Sequence, residues 1–149
     1  MENKEKAVRI QQKMYSKDWF SQWLGIECLD CGPGYCKLKM TIRKEMLNGF
    51  GIAHGGITYS LADSALAFAS NSHGRMAVSV ETNISHTESL QEGEVIIAEA
   101  EELSLSNKIG VYQIKVRRQD KRIVAIFKGT VYRTAKEWFP NPDADPLKN

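Results

Sequence analysis

The residues best suited to chemistry stand in one short run, Asn48-Gly-Phe-Gly-Ile-Ala-His54-Gly55-Gly56, and at one acid downstream of it, Asp63. Asp63 sits among Leu61, Ala62, Ala65 and Leu66. A carboxylate in that company suffers desolvation, so it needs hydrogen-bonding partners or a task. An inert Asp at a subunit seam is the alternative reading. Gly55-Gly56 opens the same apolar stretch, and glycine suits a tight entry into a crowded helix. It also leaves a backbone N–H uncovered at the positive end of that helix, placed to hold an oxyanion. His54 is positioned to orient a substrate carbonyl, or simply to hydrogen-bond the loop.

These groups need a scaffold, and the hydrophobic pattern supplies one. Ile57, Leu61, Ala62, Ala65, Leu66, Ala67, Phe68 and Ala69 leave no wide polar face, which predicts a buried helix over 55–72. Before it, Leu38, Met40 and Ile42 alternate with Lys37, Lys39, Thr41 and Arg43, the period of a half-buried strand. Cys31-Gly-Pro-Gly-Tyr35 is turn chemistry, so 26–30 is expected to be the hairpin partner of that strand. After His73-Gly74 the chain is strand-like, in runs near 76–85, 94–103, 109–118 and 123–133. With no helices between them, these four should pair antiparallel. The N-terminus predicts an amphipathic helix over 2–15, then a short helix capped by Asp18 and stopped by Gly25.

The sum is an α+β hotdog fold: a curved antiparallel sheet wrapped around one long buried helix, plus an N-terminal helical segment. The expected division is 1–24 for that segment, 25–134 for the hotdog domain and 135–149 for a frayed tail rich in Pro and Asp. A chain of 149 residues buries a sufficient core without staples. Twenty basic against 18 acidic residues leave a charge of only +2, too weak and dispersed for a nucleic-acid or anionic-membrane partner. The stretch 49–73 is too interrupted by polar residues to span a membrane. Three cysteines, an odd number, and no apolar leader point to the reducing cytoplasm. Cys28-x2-Cys31 with Cys36 lacks a fourth zinc ligand nearby, and no Gly-x-Ser-x-Gly elbow or βαβ nucleotide loop is present.

Asn-x5-His-Gly-Gly, followed by Asp eight residues after the first Gly, resembles the hotdog acyl-CoA thioesterases of the phenylacetic-acid-degradation type. The likeness runs through Leu61-Ala62-Asp63-Ser64-Ala65, the Ala77–Glu81 segment and the final strand, covering about 25–134. The resemblance implies that Asp63 is the catalytic carboxylate and Gly55 the oxyanion glycine. It further implies that Asn48 and His54 line the thioester and that Ser79 helps position water. Ser106-Asn107-Lys108 matches a Lys-containing turn beside coenzyme A, and Arg133 lies near a basic position used similarly. The segment 84–89 departs from the family pattern, so His86 is expected to reshape the acyl or pantetheine channel. The N-terminal segment lies outside the resemblance and receives no chemistry.

Spacing adds a constraint of its own. Eight residues on one helix separate Gly55 from Asp63 by about 12 Å along its axis. A carboxylate must approach a thioester carbon to within about 3–4 Å while the oxyanion donors touch its oxygen. One chain cannot supply both. The expectation is therefore an acyl-CoA thioesterase without metal or cofactor, aryl or arylacetyl groups being favoured by the resemblance. Its minimal unit is a homodimer, with a tetramer as dimer of dimers. A non-catalytic acyl-CoA-binding module and an enoyl-thioester hydratase on the same fold are the alternatives.

Overall fold

In the computed structural model, which describes residues 2–140, the elements follow the expected order. Helices α1 (Asn3–Tyr15) and α2 (Trp19–Trp23) precede the hairpin β1 (Glu27–Gly32) and β2 (Tyr35–Thr41). A single 3-10 turn, Lys44–Met46, leads towards the long helix α3 (Gly55–Asn71). The strands β3 (Arg75–His86), β4 (Val95–Leu105), β5 (Ile109–Arg118) and β6 (Ile123–Glu137) complete the fold. Residues from 141 onward, which hold most of the expected tail, lie outside the described residues.

All six strands pair antiparallel in one sheet, in the order β1-β2-β4-β5-β6-β3. Helix α3 packs against every one of them. Six strands laid flat span about 24 Å, twice the width of a helix, so the sheet must curl around α3 to reach it from both margins. This is the hotdog arrangement. Leu61, Leu66 and Phe68 of α3 are at most 1% exposed and meet Leu38, Met40, Ile96, Ile114 and Phe127 from the sheet. Each such side chain stabilises the fold by about 1.5–3 kcal/mol. The closest approach is at Gly129 of β6, where any Cβ would collide with Leu66. Along α3 the stripe of Gly56, Ser60, Asp63 and Ala67, at helical spacing, escapes full burial, as do Gly55, Ile57 and Tyr59 in its first turns.

Two features differ from the expected strands. β3 follows α3 in sequence but pairs with β6 at the far margin, with nothing paired to its other side among the described residues. β6 runs to Glu137, four residues beyond the expected end, because Arg75 at the start of β3 pairs with Glu137. Trp138 Nε1 then donates to Asn71 Oδ1 (2.8 Å) and fastens that extension to the end of α3.

Candidate active site

The loop before α3 is held by its own polar groups. Asn48 Oδ1 accepts from the N–H groups of Phe50 (2.9 Å) and Ile52 (3.4 Å), and its backbone N–H donates to Ile52 O (2.8 Å). Ala53 N–H donates to Leu90 O and His54 N–H to Met46 O, both at 2.8 Å. His54 then caps the helix: its Nδ1 accepts the N–H of Gly56 at 2.9 Å. The first four N–H groups of a helix have no partner within it. Here the capping histidine covers the second of them. Gly55 N–H, the first, makes no hydrogen bond among the described residues.

That free donor borders a cavity of about 350 Å³ with Asn48, Thr58, His86, Glu88 and Leu90 among its walls. A Cβ at position 55 would lie 3.2 Å from His86 Nε2, so glycine there is what keeps the approach open. With Asn48 Oδ1 engaged by the loop, its amide nitrogen is the group left to donate outward. His86, singled out because its segment departs from the family pattern, thus stands directly beside Gly55. His54 lines the neighbouring cavity instead, with Phe20, Trp23, Met46, Ile57 and Ser60.

Asp63 lies elsewhere. It borders a separate cavity of about 260 Å³ with Leu66, Ala67, Ser70, Ala77, Val78 and Ser79. No hydrogen-bond donor reaches its carboxylate among the described residues. Burial raises its pKa above the usual carboxylate value, and the negative charge of Asp18 raises it further. Asp18 is fixed in place because its two oxygens accept from Ser21 N (3.0 Å) and Ser21 Oγ (2.7 Å). With that hydroxyl hydrogen committed, Ser64 donates to Ser21 Oγ across 2.8 Å, tying α2 to α3 next to Asp63. The acid is unpaired, half-buried and inclined to take a proton.

The profile of the thioesterase superfamily matches residues 50–125, half of the chain, and takes in both Gly55 and Asp63. The chain belongs to the thioesterase superfamily. It is 40% identical over 132 residues to a protein of Archaeoglobus fulgidus, covering 89% of this chain and 86% of that one. It is 34% identical over 128 residues to the acyl-coenzyme A thioesterase PaaI of Escherichia coli, covering 86% and 91% of the two chains. A solved structure of the E. coli PaaI protein, from the phenylacetic acid degradation operon, superposes with a TM-score of 0.90 at 32% identity. It covers 91% of this chain and 99% of its own.

Within this thioesterase-superfamily chain, the remaining candidates fall into two groups. Ser79 shares the Asp63 cavity, exposed on β3. Ser106, Asn107 and Lys108 form the β4–β5 turn, remote in sequence from both cavities and absent from their walls. Arg133 also holds this turn: its Nη1 donates to Ser106 O (2.7 Å), and its backbone N–H donates to Lys108 O (2.7 Å). Arg75 grips the same turn through Asn107 Oδ1 (2.9 Å) and the Asn107 carbonyl. Two arginines therefore shape the turn, and Lys108 is its exposed charge.

Sequence reasoning missed Thr58, which lies three residues after Gly55 and so faces the same cavity; the helical period contained that signal. It also gave no role to Phe20 and Trp23, which stack at 6.1 Å beside the His54 cavity. Among the described residues no group of His, Cys, Asp and Glu is arranged to hold a metal ion, and no helix is long and apolar enough to cross a membrane.

Proposed function

We propose that this chain hydrolyses aryl- or arylacetyl-CoA thioesters at a site completed by two subunits, Gly55 of one and Asp63 of the other. The observation that carries this reading is the separation of the two half-sites. The free oxyanion donor and the protonation-prone acid border different cavities on one helix, about 12 Å apart by helical rise. The acid on the Gly55 cavity, Glu88, is engaged by Arg122 (2.6 Å), and the unpaired acid borders the other cavity. The outer edge of β3 lies beside Asp63 and Ser79, and Val78 and Val80 on that strand are 56% and 61% exposed. An unpaired, partly apolar edge invites another chain. A dimer seam there, repeated into a dimer of dimers, is part of this reading.

In the reaction, the Gly55 N–H polarises the thioester carbonyl, with the Asn48 amide as second donor and His54 keeping the helix end in register. Ionised Asp63 either removes a proton from water, which Ser79 helps to place, or attacks the carbonyl carbon to give a mixed anhydride that water then opens. Both routes end at carboxylate, free coenzyme A and one proton. Lys108, on the turn shaped by Arg133, Ser106 and Asn107, meets the coenzyme A phosphates, and His86 borders the acyl or pantetheine channel. The aromatic preference draws on the phenylacetic acid context of the E. coli relative and on the Phe20–Trp23 stack. Cytoplasmic residence belongs to the same reading, and the free thiols of Cys28, Cys31 and Cys36 fit it.

Subunit mixing tests the shared site. Inactive Asp63→Asn and an inactive Gly55 variant are exchanged, and thiol release from a panel of acyl-CoAs is followed with Ellman's reagent. A mixed dimer holds one site with both lesions and one with neither, so random mixing restores about a quarter of wild-type activity. No recovery, with exchange verified by mass spectrometry, overturns the intersubunit site. A pure binding module releases no thiol from any acyl-CoA, and a hydratase changes enoyl absorbance instead.

A further inference from the structure

Far along the sheet from both cavities, the β1–β2 hairpin gathers all three cysteines on one face. Gly32 pairs with Tyr35 across the two-residue turn Pro33-Gly34, so Cys31 and Cys36 form the next pair of the ladder. In a two-residue hairpin the closing pair is hydrogen-bonded and the following pair is not. Cys31 N–H agrees with this, donating to the Asp30 carboxylate (2.8 Å) rather than across the ladder. Residues in such a pair have Cα atoms about 4.5 Å apart, inside the window a disulfide spans.

Cys28 would ordinarily face away from Cys31, since three steps along a strand reverse the side chain. The register shifts between Cys28 and Asp30, however, and the extra residue Leu29 returns Cys28 to the face of Cys31. The burial of the three differs sharply. Cys31 and Cys36 are 3% and 0% exposed, and the Cys31 thiol donates to Ala7 O of α1 (3.4 Å), whereas Cys28 is open to solvent.

We infer that this cluster is an oxidation site for peroxides, in which solvent-facing Cys28 takes the oxidising equivalent and the buried Cys31–Cys36 pair stores it as a cross-strand disulfide. The Cys28 thiolate attacks a peroxide oxygen, the O–O bond breaks, and sulfenic acid and an alcohol or water result. The Cys31 thiol displaces water from that sulfenic acid, giving a Cys28–Cys31 disulfide. Cys36 then attacks the Cys31 sulfur, forms the Cys31–Cys36 bond and releases the Cys28 thiolate. Two thiols are oxidised for each peroxide reduced. The neighbouring thiols support the first step: Cys31 and then Cys36 favour the Cys28 thiolate and bring its pKa down to about 4, while Cys28, and after it burial, push both of theirs up. A thiolate exposed at neutral pH is the form that reacts.

The test is titration of the folded protein with hydrogen peroxide, followed by alkylation of the remaining thiols and intact-mass analysis. One equivalent should leave one alkylatable thiol of three and remove 2 Da, with fragmentation placing the bond between Cys31 and Cys36. Cys28→Ser, a solvent-facing change that leaves the core intact, should slow this oxidation at least tenfold. In Cys36→Ser the bond should be trapped between Cys28 and Cys31. Three thiols surviving excess peroxide, or a Cys28→Ser variant oxidised as fast as wild type, overturns the inference.

Discussion

The two proposed half-sites on α3 are built on opposite principles. At the Gly55 end, nearly every polar group is occupied: Asn48 Oδ1 holds the loop, His54 caps Gly56, and among the described residues only the Gly55 N–H and the Asn48 amide nitrogen remain open there. Around Asp63 the reverse holds, with a carboxylate that no donor reaches among the described residues and that feels the charge of Asp18. Occupied partners fix a position to within a fraction of an ångström, which an oxyanion donor requires. Withheld partners keep a carboxylate reactive, because nothing else stabilises its charge. One end of the pair is rigid and satisfied; the other is strained in energy rather than in shape.

The sharpest way to break this contrast is Asp63→Asn, which keeps the shape and removes the charge. Turnover should fall about 10³-fold, within the range for losing a general base. Retention of a tenth of wild-type rate would show that the acid is not part of the chemistry. Gly55→Val comes next, with an expected loss of about 10²-fold, the scale of one oxyanion donor. Its Cβ would press on His86, so a melting curve must show the variant folded before the rate is read. Full activity in the folded variant would move the reacting carbonyl away from this backbone.

Asp18→Asn is subtler. Asn caps a helix as well as Asp does, so α2 should persist while the charge that raises the Asp63 pKa disappears. The acid limb of kcat/KM should shift to lower pH with the plateau unchanged. An unmoved limb would mean that burial alone sets the proton affinity of Asp63. The smallest effect concerns stability. The folded-state pKa of Asp63 is raised, so its contribution is full below the unfolded value near 3.8 and is lost as pH rises through the folded one. Asp63→Asn should therefore melt higher than wild type at pH 7, with the gain fading as the pH falls towards 4. Equal melting points at pH 7 would show that the acid is not withheld from partners in solution.

Much of this was legible in the residues. The alternation of Lys37–Arg43 and the apolar run of α3 betrayed their elements, because burial on one face or all faces leaves a period in the sequence. The strand order was not legible: β3 passes by β4 to join β6, and pairing across that distance is decided by the curling of the sheet. The chemical residues were found by their isolation, as with Asp63, or by motif. What they touch was hidden, since a cap such as His54 Nδ1 to Gly56 and the grip of Arg75 and Arg133 on the Ser106–Lys108 turn depend on side-chain reach. Sequence offers Arg133 as a coenzyme A contact and gives no sign of the Ser106 carbonyl that its Nη1 also holds.

Helix α3 is a rod of 17 residues carrying both kinds of half-site. On the proposed two-subunit site, each rod of a two-fold pair lends its donor to one reaction centre and its acid to the other. A slide of one rod along its axis shifts donor against acid by the same distance, and in the same sense, at both centres. The two centres therefore open and close together, on a single mechanical coordinate.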